Sequence, residues 1–224
     1  MLEPGPFLLT FLLAAVTTVL LLVVSLPLSW WLATASFRFK FLVEALVSVP
    51  LILPPSVIGF YLLMVFSPGN AVGEFLEEYL NLRLVFTFEG LIVASIVYSL
   101  PFMIQPLLTG FRMPSPTLTE VSYTLGKSKW TTLLKVQLPN MKASLLTGCI
   151  LTFAHTVGEF GVVLMVGGNI PGETRVVSVA IYDAVEAMDY GKANLYSGIL
   201  LVFSFVLLVA VYLINHRFLN RTAA

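Results

Sequence analysis

The chain has 224 residues, 58% of them hydrophobic and 11% charged, and its formal net charge is zero. That balance excludes an ordinary soluble domain and fits a protein that crosses a membrane several times. The single cysteine, Cys149, excludes an intrachain disulfide and a cysteine-rich metal site. His155 and His216 are too far apart in sequence to suggest a metal cluster, and no nucleic-acid partner is expected.

Five runs are long enough to cross a bilayer, which takes about 20 apolar residues. They lie at about 7–35, 41–66, 88–109, 143–166 and 196–214, in a single transmembrane domain over 1–224. The first run carries Glu3 and no Lys or Arg at its front and is too long for a cleaved signal peptide, so it reads as a retained helix. The second contains Pro50-Leu51-Ile52-Leu53-Pro54-Pro55-Ser56 and then Gly59. Each proline lacks an N–H, so the carbonyls of Leu46, Pro50 and Leu51 lose their helical partners. Such gaps are tolerated where neighbouring helices or a wet cavity satisfy them. Pro54, Pro55, Ser56 and Gly59 are therefore candidates for a pathway-lining break or hinge, with a static packing kink as the alternative. Pro101, Gln105 and Pro106 in the third run admit the same two readings.

Between the second and third runs, Glu74, Glu77 and Glu78 interleave with Phe75, Leu76, Tyr79 and Leu80, which predicts a short solvated amphipathic helix. The most charged stretch follows the third run. It carries Glu120, Lys127, Lys129 and Lys135, and a charge at a membrane centre costs roughly 2.5–3.5 kcal/mol. The loop 112–142 thus stands outside the bilayer. Thr117 and Glu120 have capping-box spacing. Leu118, Val121 and Leu125 share one face, and Gly126 can leave the helix in a left-handed conformation. Ser128 can cap a second helix in which Trp130, Leu133, Leu134 and Val136 are apolar, and Pro139 marks its end or a kink. Gly126-Lys127-Ser128 is not a phosphate-binding loop, because Val121 stands where that motif needs glycine.

The fourth run ends in His155-Thr156-Val157-Gly158-Glu159-Phe160-Gly161. Glu159 is an acid in an apolar run, either functional or paired structurally. Gly158 and Gly161 permit close helix approach. His155 reads as a satisfied polar core residue. The turn-rich Gly167–Arg175 segment follows, and then Val176–Ala193 reads as an amphipathic segment at the outer face, with a sixth span as the rival. Nine of the twelve basic residues (Arg38, Lys40, Arg112, Lys127, Lys129, Lys135, Lys142, Arg217 and Arg221) fall on one side of a five-span layout. The positive-inside rule makes the 112–142 loop and the C-terminus cytoplasmic and the N-terminus external.

Glu120-Val121-Ser122, Gly126, Val136 and Leu138-Pro139 resemble the EAA loop of ABC importer permeases, with Val121 and Ser122 in place of its alanines and Val136 in place of its isoleucine. Pro50–Leu63 and Gly158–Ala193 are similar to the molybdate-transporter permease family, so that the resemblance spans roughly residues 50–214. It implies an all-α membrane protein, a type I ABC importer permease-like bundle of five spans with a cytoplasmic coupling helix. Thr117, Leu118, Glu120, Val121, Ser122, Leu125, Gly126, Leu138 and Pro139 would dock the loop in an ATPase groove. Pro54, Pro55, Ser56, Gly59, Gln105, Gly158, Glu159 and Gly161 would line or hinge the pathway. Asn169, Pro171 and Gly172 would meet an external binding protein.

The same resemblance implies a homodimer in a prokaryotic inner membrane, two ATPase subunits that bind ATP and magnesium, and a periplasmic or extracellular oxyanion-binding protein. This chain would bear no ATPase site and no cofactor of its own. The implied cargo is molybdate or tungstate. The alternatives are a sulfate/thiosulfate permease and, from another class, a secondary ion-coupled transporter. A membrane enzyme built on His155 and Glu159 lacks a nucleophile motif or metal set beside them.

Overall fold

The computed structural model describes residues 3–112 and 116–222, and every described element is helical. Helix α1 (Gly5–Thr34) opens at Pro4 with Pro6 in its first turn, where a missing N–H costs nothing. Its buried face repeats every three or four residues and is rich in small side chains, including Ala14, Thr17, Ser25 and Ser29. That composition lets the backbone lie close to its neighbours, α5 (Phe88–Arg112) and α9 (Lys142–Val157). The opposite side shows Leu8, Val19 and Val23 to the surroundings.

The second apolar run is not one helix. Helix α2 (Lys40–Ser48) tightens into a 3-10 turn at Val49–Leu51, and α3 (Pro55–Phe66) leaves at an angle of 107°. The prolines cause this, although the carbonyl of Leu46 is not left bare: the Val49 N–H takes it over three residues instead of four. Each arm has 12 residues, a rise of about 18 Å, which is short of a bilayer core of about 30 Å. The fourth run breaks likewise, between α9 and α10 (Gly161–Gly167), with a bend of 61°. Gly5–Thr34, Phe88–Arg112 and Tyr190–Ala210 are each long and apolar enough to cross a membrane alone.

The amphipathic helix between the second and third runs is α4 (Ala71–Leu80), capped by Asn70, whose side chain accepts from the Val72 N–H at 3.2 Å. Val176–Ala193, expected as one amphipathic segment, divides. Helix α11 (Val177–Glu186) stops, Met188 takes φ 58°, and α12 (Tyr190–Thr222) begins with Asp189 accepting from the Lys192 N–H at 3.0 Å. The last helix therefore starts before residue 196 because Asp189 caps it. The ten residues of α11 rise about 15 Å, too little for a sixth crossing by that segment.

One core joins Leu21 of α1 and Met103, Leu107 and Phe111 of α5 to Leu133 and Met141 at the far end of the charged loop. A second gathers Leu13, Leu91, Val163, Val176 and Val179. The loop is thus anchored in the bundle rather than hung from it.

Candidate functional site

The two breaks meet. Helix α3 packs along α10, and glycine makes the approach possible at both ends of the contact. A Cβ on Gly59 would stand 2.7 Å from Met165 Cβ and 3.1 Å from Val162 Cα; one on Gly161 would stand 2.8 Å from Pro55 Cβ. Beside this junction lies a cavity of about 570 Å³, lined by Pro55, Ser56, Tyr98, His155, Gly158, Glu159 and Gly161 among others. Of the expected pathway set, Pro55, Ser56, Gly158, Glu159 and Gly161 are brought together here. Pro54 caps α3 next to them, and Gly59 serves the helix contact rather than the lining.

Glu159 is 3% exposed, and neither carboxylate oxygen has a hydrogen-bond partner among the described residues. Its main-chain carbonyl accepts from Ser178 Oγ at 2.6 Å, which ties the break to α11. His155 Nδ1 lies 2.9 Å from Ser99 Oγ, which in turn is 3.1 Å from Thr156 Oγ1. The imidazole stacks on Phe102 (centroids 3.9 Å apart, 25° between planes) and lies 4.7 Å from the Tyr98 ring. His155 is thus satisfied as expected, yet only half-buried and facing the cavity. No three His, Cys, Asp or Glu side chains among the described residues are placed to hold a metal.

Gln105 does not join this group. It lines a second cavity, of about 430 Å³, with Leu51, Phe102, Thr109, Ser144 and Thr147. Its Nε2 donates to Ser48 Oγ at 2.8 Å, and two turns further on Arg112 pairs with Glu44 at 2.6 Å. These contacts strap α2 to the end of α5. The expected pathway set therefore divides between two cavities, because Gln105 sits about two turns along α5 from Tyr98.

In the charged loop, α6 (Pro116–Thr124) ends as expected: Gly126 takes φ 71° and the Lys127 N–H returns to the Ser122 carbonyl at 3.1 Å. The expected Thr117 cap falls on a side chain outside the described residues. Ser128 caps α7 (Lys129–Thr132), accepting from the Thr131 N–H at 3.2 Å. The single second helix expected here is instead three pieces: α7, a wide π turn at Leu133–Gln137, and α8 (Leu138–Asn140). Pro139 offers no N–H to the Lys135 carbonyl, and the wider turn absorbs that gap. The pieces turn Leu133 inward to 2% exposure and leave Trp130 and Leu134 outward. Leu118, Val121 and Leu125 are exposed beside Glu120, so this surface is apolar with a charged margin. Ser122 is buried with its Oγ 2.8 Å from Thr132 Oγ1. Trp130 lies against Trp30 of α1, with ring centroids 5.8 Å apart. Leu138 packs on the α1–α5 core, while Pro139 stays exposed.

At the other end of the molecule, Asn169 is held inside its own loop. Its Oδ1 accepts from Arg175 Nε at 2.5 Å and its Nδ2 donates to Asp183 Oδ1 at 3.0 Å. Thr174 Oγ1 donates to the Gly167 carbonyl at 2.7 Å and pins the base. The tip, Pro171-Gly172-Glu173, is exposed, with Gly172 at φ 80°.

Sequence reasoning missed Phe102, Tyr98, Ser99 and the Glu44–Arg112 pair. Glu44 carried a usable signal, an acid inside an apolar run like Glu159. The aromatic residues carried none, since aromatics abound in every run.

A family model described as "Binding-protein-dependent transport system inner membrane component" matches residues 25–223. The chain is 50% identical over 205 residues to "Molybdenum transport system permease protein ModB" of Azotobacter vinelandii, covering 91% of this chain and 90% of that protein. It is 34% identical over 203 residues to "Putative molybdenum transport system permease protein YvgM" of Bacillus subtilis (strain 168), covering 91% and 89%. It is 31% identical over 212 residues to "Sulfate transport system permease protein CysT" of Escherichia coli (strain K12), covering 95% and 76%.

Proposed function

The chain belongs to the family of binding-protein-dependent transport system inner membrane components, and from that premise we propose that it is the permease of an ATP-driven importer of molybdate. The observation that carries the cargo is the 50% identity to the molybdenum permease of Azotobacter vinelandii over nine-tenths of both chains, against 31% to 35% to sulfate permeases. Tungstate, a tetrahedral dianion of similar size, would share the route.

The chemistry of the cavities agrees. They offer hydroxyls, the Gln105 amide and ring edges, and among the described residues neither is lined by a lysine or arginine. Such groups hold a dianion weakly, as a conduit requires if its cargo is to leave. An ionised carboxylate at Glu159 would repel a dianion and further disfavour capture. Selectivity then rests with an external binding protein, which we place at the exposed Pro171-Gly172-Glu173 tip.

The apolar outer face of the 112–142 loop, with Leu118, Val121 and Leu125, would seat in a groove of an ATPase subunit that binds ATP and magnesium. ATP-driven closure of two such subunits pulls the loop. The buried Leu133 and the Trp30–Trp130 contact carry that motion to α1 and α5. A second copy of this chain would complete the pathway on a two-fold axis. Counting each bent pair as one crossing gives five spans, with the N-terminus outside and the loop and C-terminus in the cytoplasm. Nucleotide state then shifts an inward–outward equilibrium by differential affinity for the two forms.

The test is uptake of labelled molybdate in cells that lack their own molybdate and sulfate permeases and carry this chain with its cognate ATPase and binding protein. ATP-dependent uptake that resists excess sulfate and yields to tungstate is the expected result. Uptake abolished by sulfate would make this a sulfate permease, and an assembled complex that admits no oxyanion would overturn the cargo altogether.

A further inference from the structure

The two cavities follow one another along the same pair of helices. Along α5 the lining runs from Tyr98 through Phe102 to Gln105 and Thr109; along α9 it runs from Gly158 back through His155 and Leu151 to Ser144. The third wall, the broken second run, gives Leu51 to one cavity and Pro55 and Ser56 to the other. Phe102 faces the first cavity, His155 faces the second, and their rings are stacked at 3.9 Å. We propose that the Phe102–His155 stack is the gate of the oxyanion path, a closed partition between a chamber on the loop side and a chamber on the far side.

The halves of this partition differ in a way that suits a gate. His155 is tethered through Ser99 to Thr156 and flanked by Tyr98, so its ring is the fixed half. Phe102 has no polar anchor and sits between the two prolines of α5. Pro101 leaves the Val97 carbonyl without its helical donor, and Pro106 does the same to the carbonyl of Phe102. Beyond Phe102, α5 is strapped to α2 through Gln105–Ser48 and Arg112–Glu44 and ends at the charged loop. A pull on the loop therefore acts on the segment after Phe102 and bends α5 at the two prolines, carrying the phenyl ring off the imidazole. A stacked aromatic pair excludes a hydrated dianion because neither face can replace its water.

This inference rests on the permease reading, and the experiment separates the two. The whole complex with its ATPase, in a Cys149→Ser background, is placed in liposomes with Thr147→Cys or Ser56→Cys as a reporter in each chamber. Without nucleotide, a membrane-impermeant thiol reagent is expected to reach Thr147→Cys only from the loop side and Ser56→Cys only from the other. Adding Phe102→Ala is expected to abolish that sidedness and to open an ATP-independent molybdate leak. Phe102→Leu, which keeps an apolar side chain and good helix propensity, gives the same readout should the alanine variant fail to assemble. Reporters that label from both sides in the parent complex, or sidedness and tightness unchanged in an assembled Phe102 variant, would overturn the gate. ATP-driven molybdate uptake by the parent complex is measured in the same vesicles. Its absence alongside merged chambers would refute the cargo and leave the gate standing.

Discussion

Replacing Gly59 with alanine adds one methyl group at the tightest point between the two broken runs. That methyl carbon would stand 2.7 Å from Met165 Cβ and 3.1 Å from Val162 Cα. Carbon atoms rest about 3.5–4.0 Å apart, so the overlap is about 1 Å. A rotamer change at Met165 moves its Cγ but not its Cβ, and the Val162 atom belongs to the backbone. Relief therefore requires α3 and α10 to separate, at a cost of about 1–3 kcal/mol by the usual scale of overpacking. Separation also loosens Gly161 from Pro55 at the wall of the larger cavity. Cys149 is half-buried and the chain's single thiol, so thermal exposure to a thiol-reactive dye reports unfolding of the bundle. The expected result is a lower labelling midpoint for Gly59→Ala and none for Gly5→Ala, whose added Cβ meets nothing within 4 Å. Equal midpoints with undiminished molybdate uptake would show that the two helices do not pack this closely in the working protein.

Other consequences follow from the loop and the termini. Gly126→Val forces a β-branched residue to φ 71°, at a cost of about 1–2 kcal/mol, and should uncouple ATP hydrolysis from uptake; normal uptake at normal expression would contradict this. Ser122→Ala should cost under about 1 kcal/mol, because Thr132 Oγ1 still donates to the Ser128 carbonyl at 3.0 Å. Thr132→Val should cost about 1–3 kcal/mol, since it strands the buried Ser122 hydroxyl; dye-labelling midpoints in the reverse order would refute the pairing. At the N-terminus, the Glu3 carboxyl is held below its ordinary pKa by a hydrogen bond from Lys192 at 3.0 Å and by the ammonium charge. A depressed carboxylate contributes its full stabilisation above the unfolded value of about 4.3 and loses it as pH falls through the folded value. The protection of the Glu3 and Leu8 amides, which donate to Tyr196 Oη and the Pro4 carbonyl at 3.1 Å, should therefore fall, relative to intrinsic exchange, as pH drops through the folded value, and a Lys192→Met variant should show that lower protection already at neutral pH.

Much of the 112–142 loop was legible because its determinants are local. A glycine able to adopt positive φ, a serine before a helix and a proline near its end act within one or two turns, so Gly126 and Ser128 behave as their sequence neighbours dictate. The π turn at Leu133–Gln137 was not legible, since a missing donor at Pro139 can be absorbed by a kink, a stop or a wider turn. Only the burial of Leu133 in the α1–α5 core selects among them. Asn169 illustrates the opposite failure. A polar residue in a turn-rich loop looks available to a partner until Arg175 and Asp183 are seen to occupy it.

By itself the sequence determined that this is a membrane protein, where its apolar runs lie, where its charge concentrates and which family it resembles. All of these rest on transfer energies and spacings that sum along the chain. The tertiary structure alone decided that two proline- and glycine-broken runs lock together at Gly59 and Gly161, and that Gln105 and Glu159 face different cavities. It also brought Phe102, which lines one cavity, into a stack with His155, which lines the other. Such contacts join residues dozens to a hundred positions apart, and no local propensity encodes which distant side chain a helix face will meet.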